Sequence, residues 1–374
     1  MGASLLWGER VMTARQMGLA LAMLISAAVL PSGATAASLG AERSQATGDL
    51  ASNWLETAWA AYRKRFVRAG RVIDDVNRIS HSEGQGYAML IAVKAGDRSA
   101  FEEIWQWTKR ELYVDPSGLA AWKWDDSAAS KVTDKNNASD GDILIAWALA
   151  EAAERWGSML HRQAARDIIR AIGKDNIASS PVGTVLMPGR IGFSPEDHSD
   201  GQVLNLSYWV FPAFERFKAL DSETNWNAVQ AAGLKLLRES RFGPLRLPAD
   251  WIAVGAGRPT PAKAFPAKFS YNAIRIPLYL AWAKLDQPDL LRPFVGLWND
   301  ELNLGPFEVD LSSGSAQQSF GGAGFKAVIA AAKCALYKQK LHASLRKVEA
   351  DTYYTTTLHI LSLLAVQERY PECL

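Results

Sequence analysis

The stretch "NNASDGDILIAWALAEAAERW", residues 136–156, decides the fold class. Its part 143–153 is apolar on nearly every face of a helix, and "YAMLIAV" at 87–93 has the same character. A helix that is apolar all round has to be buried on all sides. Both segments are therefore predicted to form interior helices.

Amphipathic segments alternate with these buried ones. Residues 99–112 and 159–172 carry apolar side chains at helical spacing and leave one face polar. Such alternation is typical of an inner layer of helices covered by an outer layer. Helices are predicted near 48–67, 84–96, 99–113, 141–156, 160–173, 206–219, 226–240, 272–284, 287–300, 322–338 and 352–367. "GTVLMPGRIGF" at 183–193 suits short strands within a loop.

The totals fit one large or two ordinary globular domains, and the helical pattern makes the predicted fold class all-α. The chain has 374 residues, of which 48% are hydrophobic and 21% charged, with a formal net charge of +2. This composition excludes disorder, and the near-neutral balance gives no support for a nucleic-acid partner. Because we find no Pro-, Ser- or Gly-rich linker, residues 37–374 are predicted to form a single double-layered helical barrel.

The N-terminus is predicted to be an export signal. Arg10 and Arg15 precede an uncharged apolar run at 17–30, and Ala34-Thr35-Ala36 is a small-residue cleavage site. The run is shorter than the roughly 20 residues of a membrane span. We expect residues 1–36 to be removed and the protein to be secreted or periplasmic; a retained membrane anchor is the alternative.

Metal and disulfide frameworks have little support. The chain has two cysteines, Cys334 and Cys373, and five histidines without HExxH or HxH spacing. Export permits a disulfide, and whether the two cysteines pair stays open here. We expect no metal, no cofactor and a monomer.

Glu83 has two interpretations. Ser80-His81-Ser82-Glu83 matches the S-x-x-E capping box, in which the Glu side chain reaches back to the N-cap residue. Against capping alone, the neighbours Gly84 and Gly86 are poor helix formers that let a ligand or another backbone approach closely. Glu83 is then a candidate proton donor.

Asp140 and Asp142 bracket a glycine where the second interior helix begins. One Asp satisfies the helix N-terminus, whereas a second carboxylate adds repulsion and desolvation. Inner helices of such a barrel start at one rim, so Glu83 and Asp140 are expected to face the same cavity. Paired carboxylates in an aromatic-rich cleft suit glycoside hydrolysis.

Aromatic residues supply the expected sugar platform. Fourteen tryptophans are present, and most are expected to pack in the core. The candidates for stacking on sugar rings lie in loops or near helix starts: Trp122, Trp124, Tyr208, Trp209 and Trp251. Trp122 and Trp124, set between turn residues and charges, are expected to be the most exposed.

The segment 138–156, with its Ala-Ser-Asp-Gly-Asp start and Trp156, resembles the signature of glycoside hydrolase family 8 at every fixed position. "SEGQGYAM", upstream of this signature, resembles the family's general-acid segment, and "LNLSYW" and "FSYNAIRIPLYLAW" resemble landmark segments of the family downstream of it. The likeness therefore runs from Glu83 to Trp282. The nearest likeness is to exported bacterial cellulases associated with cellulose synthesis. It implies an (α/α)6 barrel and an inverting mechanism without metal.

The resemblance also implies site roles. Glu83 would be the proton donor, and Asp140 would be the signature aspartate that acts as nucleophile or holds the distorted sugar. Tyr208 and Trp122 match sugar-contacting aromatics, and Arg275 matches an arginine beside the catalytic centre. The complete predicted substrate-binding set is Trp122, Trp124, Asp142, Tyr208, Asp250, Tyr271, Asn272 and Arg275.

The chain departs from the family at Asn272, where many members carry the Asp taken as the water-activating base. An amide cannot accept that proton at neutral pH. The alternatives for the base are Asp140, Asp142 or Asp250, or more distant loop acids, Asp197 or Asp200. Otherwise the protein is a weak catalyst that binds glucan.

The sequence thus predicts an endo-β-1,4-glucanase that binds and hydrolyses cellulose-like β-1,4-linked polysaccharide. Chitosan and xylan are alternative substrates within the same family. A non-hydrolytic polysaccharide-binding role is the alternative outside enzymes. A helical-barrel lyase is disfavoured, because it would use Tyr, His or Arg bases without the paired-aspartate signature.

Overall fold

Buried and half-exposed helices alternate along the chain, as the apolar pattern predicts. The computed structural model describes residues 54–298 and 305–374. The predicted signal peptide, residues 1–36, lies outside the described residues, and so do residues 48–53 of the first predicted helix.

Eleven α-helices occur in the described part of the chain. They are α1 (Trp54–Phe66), α2 (Ser82–Ala95), α3 (Arg98–Leu112), α4 (Ser139–Trp156), α5 (Met159–Asp175), α6 (Phe214–Leu220), α7 (Trp226–Glu239), α8 (Ile276–Ala283), α9 (Pro288–Val295), α10 (Ala323–Tyr337) and α11 (Tyr353–Arg369). Helices α2, α4, α8 and α11 are buried along most of their length, whereas α1, α3, α5 and α7 expose one face. The two predicted layers are therefore present.

Two predicted helices begin later than expected. The segment predicted as a helix at 206–219 begins with two short 3-10 turns, 206–208 and 211–213, and only then continues as α6. A third 3-10 turn, at 273–275, precedes α8. Pro212 is the second residue of the 3-10 turn at 211–213, and Pro277 is the second residue of α8. Proline lacks the N–H that would continue a helix from the preceding turn, so the chain starts again there.

Helices α2 and α4 pack against each other at their N-terminal ends through glycine. A Cβ on Gly86 would lie 2.6 Å from Leu144 Cβ, and one on Gly141 would lie 2.8 Å from Glu83 N. These glycines serve the close approach of two backbones. The contact sets the starts of the two helices side by side.

Short antiparallel strands connect the helices. They are β1 (Val67–Arg68), β2 (Arg71–Val72), β3 (Ile79–His81), β4 (Lys123–Asp125), β5 (Ile177–Ser180), β6 (Gly183–Leu186), β7 (Gln202–Leu204), β8 (Ile252–Val254), β9 (Thr260–Pro261), β10 (Lys268–Phe269), β11 (Phe307–Asp310) and β12 (Ala316–Ser319). They form the sheets β1-β2, β3-β4, β5-β6, β7-β8-β9 and β10-β11-β12. The strand predicted at the start of "GTVLMPGRIGF" is confirmed as β6.

Cys334 and Cys373 form a disulfide, which answers the question that the sequence leaves open. It joins α10 to the 3-10 turn at 371–373. Both cysteines are fully buried in an apolar cluster that also holds Ala281 of α8 and Val366 of α11. The C-terminus is thus fixed to the helical core.

Candidate active site

Arg275 is the centre of a buried polar cluster. Its guanidinium, only 3% exposed, donates from Nη1 to Glu83 Oε1 and to Asp140 Oδ2 at 2.8 Å. Nη2 donates to Ser207 Oγ at 2.8 Å and to Asn272 Oδ1 at 3.0 Å. Segments far apart in the chain therefore converge on one cation.

Glu83 does not form the capping box that its spacing with Ser80 suggests, so that interpretation is wrong. The N-cap of α2 is His81, whose Nδ1 accepts the Gly84 N–H at 3.0 Å. Ser80 and His81 belong to β3, and Ser80 Oγ accepts from Arg71 instead. The Glu83 carboxylate consequently turns towards Arg275.

Asp140 lies in the first turn of α4, and the N-cap residue Ala138 offers no side-chain cap. The Oδ1 atom of Asp140 accepts the Gly141 N–H at 2.8 Å, and its Oδ2 atom accepts from Arg275. Burial raises the pKa of Asp140 to about 6, and the neighbouring Glu83 charge adds to this, while Arg275 opposes it. Burial and the Glu83 charge thus both favour the protonated form of Asp140.

Glu83 and Asp140 are close together, because both contact the same nitrogen of Arg275. An acid and a base that invert a sugar need about 6.5–9.5 Å between their carboxyl groups to admit a water. The pair is therefore too close to hold that water between its two carboxyl groups. The arrangement suits one proton donor and one charge-stabilising carboxylate.

Asp142 lies apart from this cluster and is fully buried. Its Oδ1 accepts the Ala120 N–H and its Oδ2 accepts from Asn137 Nδ2, each at 2.8 Å. Burial raises the pKa of Asp142 to about 7. Both carboxylate oxygens of Asp142 are therefore hydrogen-bonded to the loop that lies between α3 and α4 and carries Trp122.

Asp250 lies under the segment that carries Asn272. Its Oδ1 accepts the backbone N–H groups of Ser270 at 2.9 Å and Ala273 at 2.8 Å. Burial raises the pKa of Asp250 to about 6. The structure therefore brings a carboxyl group next to the position where the family pattern has its aspartate.

The two distant loop acids accept hydrogen bonds elsewhere in the fold, Asp197 within a local turn and Asp200 from a segment far along the chain. Asp197 Oδ2 accepts from the backbone N–H and the hydroxyl of Ser194, at 3.0 and 2.8 Å. Asp200 Oδ2 accepts the Lys263 N–H at 2.8 Å. Neither makes a described contact with the Arg275 cluster.

Tyr208 is the aromatic residue beside the cluster. The Arg275 guanidinium carbon lies 5.6 Å from the centre of its ring. The half-buried ring meets Trp251 edge-on at 6.0 Å, and Trp251 stacks on Phe265 at 4.5 Å. Trp209, by contrast, is buried and donates to the Val229 carbonyl.

The two tryptophans of the 119–125 loop differ in exposure. Trp122 is half-buried and donates to Asp134 at 2.9 Å. Trp124 is 8% exposed, donates to Glu111 and packs edge-on against Trp107. The expectation that Trp124 is among the most exposed is therefore wrong, because its ring completes the packing between β4 and α3.

Tyr271 is 37% exposed, and its carbonyl accepts from Tyr354 Oη at 2.7 Å. The sequence motifs do not indicate Ser207, Tyr87 or His81 as part of the site. Tyr87 Oη accepts from Arg275 Nη1 at 3.5 Å, and Tyr87 follows Glu83 by one helical turn, so helical spacing is the signal that could have found it. Ser207 had no comparable signal, because its contact to Arg275 depends on the folded chain.

Comparison with known proteins assigns the family. The family model for glycosyl hydrolases family 8 matches residues 34–368. The chain belongs to glycosyl hydrolase family 8. It is therefore a glycoside hydrolase.

Family 8 relatives include proteins with curated descriptions. An endoglucanase of Cellulomonas uda is 41% identical over 232 residues, which cover 61% of this chain and 64%, slightly less than two thirds, of that protein. A probable endoglucanase of Novacetimonas hansenii is 38% identical over 299 residues, covering 77% of this chain and 86% of that one.

The family 8 fold is also present in solved structures. The crystal structure of a family 8 endoglucanase from Klebsiella pneumoniae matches with a TM-score of 0.75 and 35% identity, covering 83% of this chain and 99% of that one. The predicted (α/α)6 barrel with short strands in its loops is thereby confirmed.

Within residues 54–298 and 305–374, we find no helix with the length and apolarity of a membrane span. The same ranges contain no group of three or more His, Cys, Asp or Glu placed to hold a metal ion.

Proposed function

We propose that this chain is an exported endo-β-1,4-glucanase that hydrolyses internal bonds of cellulose-like polysaccharide, inverts the sugar and needs no metal. The observation that carries this proposal is the convergence of Glu83 and Asp140 on Arg275. The endoglucanase descriptions of the family 8 relatives support the substrate class.

Glu83 is the general acid that protonates the leaving glycosidic oxygen. The Glu83 side chain is 11% exposed, whereas that of Asp140 is 3% exposed, so Glu83 is the better placed of the two to reach a substrate. Asp140 stabilises the positive charge that develops on the sugar ring. Arg275 holds both carboxyl groups in place and offsets their repulsion.

Asp250 is the carboxylate that we favour as the base. Asp140 is too close to Glu83 for this task, and both oxygens of Asp142 are engaged inside the fold. A pKa of about 6 leaves Asp250 mostly ionised at neutral pH while keeping it basic enough to take a proton. Its position behind Asn272 supports the same assignment.

Aromatic rings beside the cluster would bind the polymer. Tyr208, Trp122 and Tyr271 retain exposed ring surface, which suits stacking on the apolar faces of glucose units. Trp124 and Asp142 are buried, so their proposed contribution is to support the loop that carries Trp122.

Export is supported by the Arg-flanked apolar run at 17–30 and the small residues before position 37. The Cys334–Cys373 disulfide suits an oxidising compartment. Detection of the mature N-terminus in the periplasm or medium would test this part of the proposal.

The central test is release of reducing ends from carboxymethylcellulose, chitosan and xylan by wild type and Glu83→Gln. We expect wild type to hydrolyse carboxymethylcellulose faster than chitosan or xylan. We expect Glu83→Gln to lower kcat by about 100- to 10,000-fold while the fold and glucan binding are retained. Glu154→Gln, an exposed carboxylate elsewhere, is the matched control. Near-normal turnover by folded Glu83→Gln would refute the assignment.

Asn272 favours a second candidate function, a family member that binds glucan with little hydrolysis. Its amide occupies the position of the usual base and accepts from Arg275. Binding of cellulose by wild type without release of reducing ends would select this function over the first.

A further inference from the structure

His81 links the start of α2 to the acid Glu83 and lies outside the roles assigned above. The residue is 6% exposed and ends β3, where it pairs with Lys123 of β4. Its Nδ1 lies 3.8 Å from Glu83 Oε2, and its Nε2 lies 3.9 Å from Asp74 Oδ2. The imidazole therefore stands between two carboxylates.

The hydrogen bonds define which nitrogen carries the proton in the neutral ring. Because Nδ1 accepts the Gly84 N–H, its lone pair is in use and the proton is on Nε2, which faces Asp74. A second proton would have to bind at Nδ1. That proton would break the hydrogen bond from the Gly84 N–H to Nδ1, and the new N–H would point towards Glu83. The two charge states of His81 thus have different partners.

Charged and titratable groups surround His81 on several elements. Asp74 lies between β2 and β3, Asp140 is on α4, and the Tyr353 ring of α11 meets the imidazole edge-on at 5.5 Å. Arg275 lies beyond Glu83. Burial by itself lowers the pKa of His81, but the carboxylates Asp74, Glu83 and Asp140 raise it above its ordinary value.

Asp74 is itself held rigidly. Its Oδ1 accepts the N–H groups of Val76 and Asn77, and its Oδ2 accepts from the Asn77 side chain at 2.7 Å. Asp74 is 6% exposed. A fixed, buried carboxylate therefore lies 3.9 Å from Nε2 on the far side of the imidazole, where it attracts a protonated ring.

We propose that His81, placed between Asp74 and Glu83, is a positioning residue for Glu83, and that the positive charge of its protonated imidazole lowers the pH at which activity is lost on the alkaline side. The neutral ring caps α2 and keeps Glu83 directed at Arg275. The protonated ring adds a cation 3.8 Å from Glu83 Oε2, and a cation at that distance attracts the carboxylate. This inference rests on the proposed role of Glu83 as general acid.

His81→Asn tests the proposal because an Asn oxygen still caps the helix, whereas the imidazole and its charge are gone. With a soluble cello-oligosaccharide, we expect kcat to fall by about fivefold or more and KM to stay within about twofold. The alkaline limb of the pH–rate profile should move up by about 0.5 unit or more, because the acid keeps its proton without a neighbouring cation.

His161→Asn is the matched control, since His161 is also buried beside a carboxylate, Glu102 at 3.1 Å, on an outer helix. Its pH–rate profile should equal that of wild type. If folded His81→Asn keeps the wild-type kcat and profile, His81 is a cap only and the proposal is overturned. Glu83→Gln tests the acid assignment separately, so the two failures are distinguishable.

A reciprocal measurement on folded protein covers the case in which His81→Asn does not fold. The coupling between two titrating groups is mutual. In NMR titrations that follow the His81 ring nitrogens, we expect the midpoint in Glu83→Gln to lie about 0.5 unit or more below that of wild type. Equal midpoints in the two proteins would overturn the proposal.

Discussion

At the residue scale, the site depends on one buried cation that serves two carboxyl groups. Arg275 donates to Glu83 and Asp140 from a single nitrogen, and its other nitrogen donates to Ser207 and Asn272. Removal of one partner from such a buried cluster leaves an uncompensated charge. The arginine is thus needed both for the fold of the site and for the charge of the acid pair.

Asp250→Asn tests the proposed base while keeping the hydrogen bonds that the side chain makes in the fold. The amide oxygen can still accept from Ser270 and Ala273, so we expect the fold to survive. Loss of the base should lower kcat by about 100-fold or more with little change in KM. Asp310→Asn is the matched control, because Asp310 also accepts from two backbone N–H groups, those of Ser312 and Ser313.

Steady-state assays on cello-oligosaccharide would measure this change. Activity of Asp250→Asn equal to that of wild type would assign the base to another residue. Recovery of activity by azide or formate in the variant would support the loss of a base rather than a distorted site.

At the element scale, the site is built by the contact between the starts of α2 and α4. Glu83 is the second residue of α2 and Asp140 the second residue of α4. Gly141 gives the space for this contact, since a Cβ there would overlap Ser82 Oγ and lie 2.8 Å from Glu83 N. The separation of the two helices therefore sets the separation of the two carboxyl groups.

Gly141→Ala should force the two helix starts apart. We expect a loss of about 1–3 kcal/mol in the free energy of unfolding and a larger relative loss of kcat. Gly257→Ala, where a Cβ would meet nothing within 4 Å, should change neither quantity. Urea unfolding and kinetics on both variants check this; a Gly141→Ala protein with wild-type stability and activity would show that the contact can relax.

Asp142 should make stability depend on pH through α4. Its pKa rises from the ordinary value of 3.8 to about 7 on folding, so folding favours the protonated form. Its contribution is fully present below about pH 4 and is lost as the pH rises to about 7. Relative to Asp142→Asn, which stays neutral, wild type should lose several degrees of Tm between pH 4 and 8.

Thermal unfolding of the two proteins across this range measures the difference. Asp197→Asn, whose carboxylate caps a surface turn, is the control for other effects of losing a charge. A constant Tm difference between wild type and Asp142→Asn would mean that Asp142 does not titrate in this window.

At the scale of the whole molecule, the barrel is closed near its C-terminus by the disulfide between α10 and the turn at 371–373. The bridge lies in a core shared by α8, α10 and α11. It spans 39 positions of the chain, which limits the freedom of the unfolded state. The polar cluster around Arg275 lies at the start of α8, so the same helix serves both regions.

Cys373→Ser should lower the free energy of unfolding by about 2–4 kcal/mol while leaving kcat close to that of wild type. Reduction of wild type under native conditions should give a similar loss. Cys334→Ser should give the same loss, because it breaks the same bridge from the other side. Urea unfolding checks all three, and a loss of kcat without a loss of stability would contradict a purely structural role.

The sequence by itself determined the helices and their layering. Residues 87–93 and 143–153 are apolar all round, and together with the alternating amphipathic segments this pattern indicates interior helices. It also supplied the candidate acids Glu83 and Asp140, since each lies at the start of such a helix.

Only the tertiary structure decided what these residues contact. Arg275 is separated from Glu83 by 192 positions and from Asp140 by 135, so no local spacing encodes their meeting. Local spacing likewise does not encode the burial of Trp124 or the Cys334–Cys373 disulfide. Nor does it show that His81, and not Ser80, caps α2. The physical reason is that helix formation is set by neighbours three and four residues apart, whereas charge pairing, capping and burial depend on which distant segments fold against each other.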